Sequence, residues 1–148
     1  AAAVSGAVDG ASAQQILSLA EWAAELAQGR WPGTSTPAFG DAIRKAHDDL
    51  AAMPVVRPRD VAERWFPDRP LTIVPLALAL ATVMHSAEEA ILIATNVGGD
   101  SDSVASIAGG IIGAREPGSI NEQWYTVVDR VNDHELETLA DQLALLRR

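Results

Sequence analysis

Two aspartates one residue apart, Asp100 and Asp102, follow a glycine pair, Gly98 and Gly99, and precede a small, apolar stretch over residues 104–114. With Ser103 they place two carboxylates and a hydroxyl where a helix begins. Oxygens grouped in this way suit Mg2+, Mn2+ or Ca2+ rather than metals that prefer thiolates. Gly98 and Gly99 can take positive φ, so the chain can turn sharply and a ligand can come close to the backbone. In an extended or half-turn segment residues i and i+2 project to the same side, so Asp100 and Asp102 can converge on one point while Ser101 points away. A plainer role stands beside this one: Asp and Ser are favoured at helix starts as N-caps and as negative charge at the positive end of the helix dipole. An EF-hand loop is excluded, because a loop starting at Asp100 puts Val104 at its fifth position and Ile111 at its twelfth, where oxygen ligands are required.

The element that must position these groups is the helix after them. Val104, Ile107, Ala108, Ile111 and Ile112 recur at helical spacing and should face a core. Asp102, Ser106, Gly109 and Gly113 form a nearly bare strip along another side. Three glycines in one helix cost roughly 1 kcal/mol each relative to alanine, so something, a helix or a ligand, should approach closely there. Upstream, Thr72 can cap a strongly apolar core helix with Pro75 in its first turn, and Ser86 with Glu89 reads as a capping box for a helix over 87–95.

The remaining segments also read as helices. Residues 1–8 look like the end of a helix, Gly10 breaks it, and Ser12 with Gln15 makes a capping box for a second helix. Ile16, Leu19, Ala20, Ala23 and Ala27 form its apolar face, with Trp22 expected to pack. Residues 29–40 read as a loop. A helix over about 41–52 carries Ile43, Ala46 and Leu50 inward and His47, Asp48 and Asp49 on a solvated face. A short helix over 60–65 follows. Pro117-Gly118 forces a turn, Asn121 can cap a helix holding Trp124, Val127 and Val128, and Asp133 can cap a last one. In that last helix Leu136, Leu139, Ala140, Leu143 and Leu146 are apolar at helical spacing, and Arg147 and Arg148 suit its negative end. His85 is assigned no chemistry. No strand pattern of comparable strength occurs, so the expected fold is all-α, a compact orthogonal helical bundle forming a single domain or part of one over residues 1–148.

Composition agrees. Among 148 residues, 48% are hydrophobic but only 5% aromatic, which describes an interior of alanine and leucine. A net charge of −9 argues against a nucleic-acid groove, since phosphate binding needs clustered Lys and Arg. The absence of cysteine excludes disulfides and thiolate metal sites and fits a reducing compartment, so a cytoplasmic location is expected. The longest apolar run, residues 71–84, contains Pro75 and reads as a buried core helix rather than a membrane span.

From Thr72 onward the run TIVPLALALATVMHSAEEAILIATNVGGDSDSVASIAGGIIGA closely resembles the C-terminal part of the ADP-ribosylglycohydrolase family, which includes dinitrogenase-reductase-activating glycohydrolases and J1-type crystallins. The family order is a V-P-x-A-L helix, an S-x-E-E-A helix, N-x-G-G-D-[ST]-D-[ST], and a small-residue helix ending in G-A. The resemblance extends more weakly to AAAVSGAVDGAS upstream and through Trp124 downstream. It implies an all-helical domain with two divalent ions, usually Mg2+ and in some members Mn2+, at the base of a cleft. The implied reaction is hydrolysis of the bond between ADP-ribose and an acceptor, an ADP-ribosylated protein or a small ADP-ribose conjugate. By position, Asp100, Asp102 and Ser103 would be metal ligands, and Gly98 and Gly99 would let the sugar approach. The family's Thr-Asp-Asp cluster and its T-H-x-x-P-like histidine have no counterpart here, so the chain reads as the C-terminal half of a member whose missing N-terminal half would be its partner. A non-catalytic ADP-ribose-binding or structural, crystallin-like member is the alternative.

Overall fold

In the computed structural model, which describes residues 1–31, 38–132 and 135–146, the chain folds as helices, with no strand among the described residues. In chain order these are α1 (Ala2–Val8), α2 (Ala13–Arg30), α3 (Phe39–Ala51), α4 (Pro58–Trp65), α5 (Pro70–Val83), α6 (Ala87–Ala94), α7 (Ser101–Arg115), a 3-10 turn (Pro117–Ser119), α8 (Glu122–Asn132) and α9 (Leu136–Leu145). The all-α expectation holds. No described helix is long and apolar enough to cross a membrane.

The axis of the bundle is α5. Leu76, Ala77, Ala79, Leu80 and Ala81 have no exposed surface, and α2, α3, α4, α6 and α7 pack around them. Small alanines alternate with leucines, so neighbouring helices come close while each buried leucine contributes about 1.5–3 kcal/mol. The helix starts earlier than the sequence implies. Pro70, not Pro75, takes the first-turn position, because Arg69 is extended and Pro70 has a preset φ. Thr72 acts from inside the first turn, its hydroxyl accepting the N–H groups of Asp68 (3.2 Å) and Arg69 (3.3 Å). Pro75 lies within α5, fully buried.

Elsewhere the local signals hold with corrections. The Ser12–Gln15 capping box forms in both directions. The buried face of α2 is Ile16, Leu17 and Ala20, which turns Trp22 some 200° away from Ala20. Trp22 is accordingly 58% exposed instead of packed. In α3, Ile43, Ala46 and Leu50 are buried as expected. Of the face read as solvated, only Asp48 is exposed: the His47 ring nitrogen lies 3.0 Å from the Thr82 hydroxyl on α5, and Asp49 accepts the Trp65 indole N–H (3.0 Å) and the Lys45 ammonium (2.7 Å), clamping α3 to α4. Ser86 caps α6 through the Glu89 N–H, but the Glu89 carboxylate reaches the His85 N–H instead of closing the box. Asn121 caps α8 through the Trp124 N–H.

The apolar stripes of α8 and α9 do not join the core, and neither helix has a buried residue. Asp133, Arg147 and Arg148 lie outside the described residues, as do positions 32–37 of the expected loop. Glu135, in the left-handed region at φ 48°, precedes α9.

Candidate active site

Helix α7 presents the acidic pair. Asp100 is its N-cap residue, and Asp102 and Ser103 occupy the first turn; Asp102 is exposed while Asp100 and Ser103 are half-buried. The Asp100 and Asp102 carboxyl groups are close enough to hydrogen-bond, and that contact, followed by the backbone N–H groups of Ser103 and of Asp102 itself, holds the Asp102 carboxyl below its usual range. Asp100 makes no cap of its own with its side chain. Both carboxylates stand at the positive end of a fifteen-residue helix, where its dipole favours negative charge. The donors, two carboxylates and a hydroxyl, suit Mg2+ or Mn2+ in kind. They are few: among the described residues no group of three or more His, Asp or Glu side chains gathers to hold an ion.

The glycine pair has a structural duty that the sequence did not disclose. Gly98 and Gly99 take φ of 78° and 58°. A side-chain carbon on Gly99 would meet the Pro67 carbonyl oxygen at 2.5 Å and the Phe66 ring at 3.1 Å, and one on Gly98 would meet Phe66 at 3.3 Å. The Asp100 N–H donates to that same Pro67 oxygen at 2.8 Å. Thus the α4–α5 connection anchors the acidic loop. Both glycines remain exposed on their other side, where their backbone faces solvent.

The rest of α7 answers the question raised by its small residues. Val104, Ala108, Ile111 and Ile112 are buried and Ile107 is partly so. A side-chain carbon on Gly109 would press on Ile91 of α6 at 3.0 Å, and one on Gly113 would touch Ile120 at 3.4 Å. The close approach is therefore made by protein. At the far end the Arg115 guanidinium, only 12% exposed, donates to the carbonyls of Ala81 (2.9 Å) and Met84 (3.3 Å), closing the end of α5. On the side of α7 one turn beyond Ser103 lies an apolar groove of about 790 Å3, walled by Ser106, Ile107 and Gly110 together with Ala24, Phe39 and Val74. Sequence periodicity marked Ile107 as core; nothing in it marked this groove.

No curated protein and no solved structure matches the chain. One family does, the ADP-ribosylglycohydrolases, and its match extends over residues 1–148. With the acidic pair at the head of α7 inside an all-helical bundle, that match identifies the chain as a member of the ADP-ribosylglycohydrolase family.

Proposed function

We propose that this chain forms one wall of a cation-assisted site that hydrolyses the glycosidic bond between ADP-ribose and an acceptor, an ADP-ribosylated protein or a small ADP-ribose conjugate. The observation that supports it is the meeting of the Asp100 and Asp102 carboxyls at the N-terminus of α7, in a chain that belongs throughout its length to a glycohydrolase family. Asp100, Asp102 and Ser103 are the residues that would hold Mg2+ or Mn2+. When bound, such an ion supplies positive charge against the ribose hydroxyls and the developing charge at the anomeric carbon. The chain's own residues do the rest of what this reading asks. The carboxylates fix the position of positive charge, the Ser103 hydroxyl orders neighbouring oxygens, and the exposed backbone of Gly98 and Gly99 leaves room for a sugar. Hydrolysis places water oxygen on the anomeric carbon and returns a proton to the leaving acceptor atom.

Three donors fall short of the six that Mg2+ prefers. The reading therefore assigns the remaining ligands to water and to an N-terminal half of the same domain, residues 1–148 being the C-terminal half. A cytoplasmic setting belongs to it as well, the chain having no cysteine. One observation favours a second reading, an ADP-ribose-binding or crystallin-like member without catalysis: no third acidic or histidine side chain joins the pair among the described residues.

Calorimetric titration with Mg2+ and Mn2+, on the chain and on Asp100→Asn/Asp102→Asn, decides the cation assignment. Binding abolished by the double substitution is expected, and binding untouched by it overturns the site. Release of free ADP-ribose from an ADP-ribosylarginine peptide, followed chromatographically with and without EDTA in a protein containing both halves, separates the readings. Metal-dependent release lost in the double variant supports hydrolysis, whereas metal binding without release supports the second.

A further inference from the structure

Where α3, the end of α4 and the start of α5 meet, a cleft of about 540 Å3 opens between Lys45, Asp49, Arg64, Trp65, Arg69 and Leu71. Its charge departs from that of the whole. The chain carries −9, yet this cleft is lined by those three cations and only two carboxylates, Asp49 and Asp41. Asp41 stands 3.6 Å from Arg44, which leaves Asp49 to face the cations of the cleft. Its carboxylate accepts the Lys45 ammonium at 2.7 Å and the Trp65 indole N–H at 3.0 Å, with Arg64 at 3.8 Å.

The two guanidiniums are held near acids but bonded to none. Arg64 lies 3.8 Å from Asp49 and Arg69 lies 3.8 Å from Asp68, both beyond hydrogen-bond reach. Asp68 already accepts the Thr72 hydroxyl at 3.1 Å. Neither guanidinium donates to any described residue, so two forks of N–H donors border one cleft uncommitted. A fork of this kind binds phosphate oxygens bidentately, and the ammonium of Lys45 adds a point charge beside them. Trp65 and Leu71 give the same cleft an apolar wall against which an organic group can lie.

We propose that this cleft binds a small phosphomonoester, its phosphate gripped by Arg64 and Arg69 and its organic body set against Trp65 and Leu71. The site is separate from the acidic pair of α7 and does not depend on the reading given to it.

The test follows the indole N–H signals of the isotope-labelled full chain by NMR while AMP, adenosine or inorganic phosphate is added. AMP should shift the Trp65 signal saturably, adenosine should leave it in place, and added salt should weaken the AMP titration. Arg64→Gln/Arg69→Gln should weaken AMP binding by at least roughly tenfold, since charge-assisted hydrogen bonds are lost. Both side chains are mostly exposed, so the melting curve of that variant should match wild type. Asp100→Asn/Asp102→Asn should bind AMP as wild type does. AMP binding no more tightly than adenosine, or equally well to the glutamine variant, overturns the proposal. Inorganic phosphate binding as tightly as AMP overturns the ester assignment, and AMP binding altered by the asparagine substitutions overturns the placement.

Discussion

Replacing Gly99 by alanine isolates the anchor of the acidic loop. The added carbon would sit 2.5 Å from the Pro67 carbonyl oxygen, a separation that carbon and oxygen do not tolerate, and the obstacle is backbone rather than the tip of a flexible side chain. Pro67 is itself buried and has little room to retreat. Holding a non-glycine residue at φ 58° costs about 1–2 kcal/mol. Losing the Asp100 N–H to Pro67 hydrogen bond adds about 0.5–1.5 kcal/mol. The sum, roughly 1.5–3.5 kcal/mol, corresponds to a fall of about 4–12 °C in Tm for a chain of this size. Urea unfolding followed by circular dichroism measures it, with an unchanged m-value showing that the same surface is exposed. Gly110→Ala supplies the opposite sign: nothing lies within 4 Å of its added carbon, and the position is an ordinary helical one. That variant should gain about 0.4–1 kcal/mol. A Gly99→Ala protein within 1 kcal/mol of wild type, or two variants moving in the same direction, refutes the packing argument.

Three other outcomes are expected. Arg115→Met strips two donors from the end of α5 and leaves the Ala81 and Met84 carbonyls without them, so urea unfolding should register a loss of about 1.5–3 kcal/mol. Asp49, which burial raises but which hydrogen bonds from Lys45 and Trp65 carry below its usual carboxylate range, stabilises the fold above the ordinary pKa of 3.8 and loses that contribution as pH falls through its lower folded value. Asp49→Asn should therefore be less stable than wild type at neutral pH, with the gap between their denaturation midpoints narrowing as pH drops below about 4. Ser12→Ala removes one arm of the capping box of α2 and should cost about 1 kcal/mol, read from the shift in the thermal midpoint.

Where a single element decides its own structure, the sequence was a sound guide. The Ser12–Gln15 box, the inward face of α3 and the buried stripe of α7 all depend on neighbours within one or two turns. The placing of Asp100 and Asp102 at the start of α7 belongs to the same class, since Asp is favoured there. What periodicity could not show depends on partners distant in the chain. Asp49 looked like one of three solvated polar residues until α4 brought Trp65 to it. The glycine pair looked like an opening for a ligand, yet Phe66 and Pro67, more than thirty positions earlier, fill the side where side chains would stand. The stripes of α8 and α9 carry the same pattern as a core helix, and a pattern states that a face is apolar without stating what covers it.

The bond from Asp100 to Pro67 has a wider meaning. It makes the position of the Asp100 backbone a property of the junction between α4 and α5. Any species that binds the acids in this arrangement and not in the unfolded chain shifts the folding equilibrium by mass action, raising the melting temperature with the logarithm of its concentration. Phe66, a ring with no polar atom, thereby bears on the acids through packing alone, since it lies against the glycine turn that leads into Asp100.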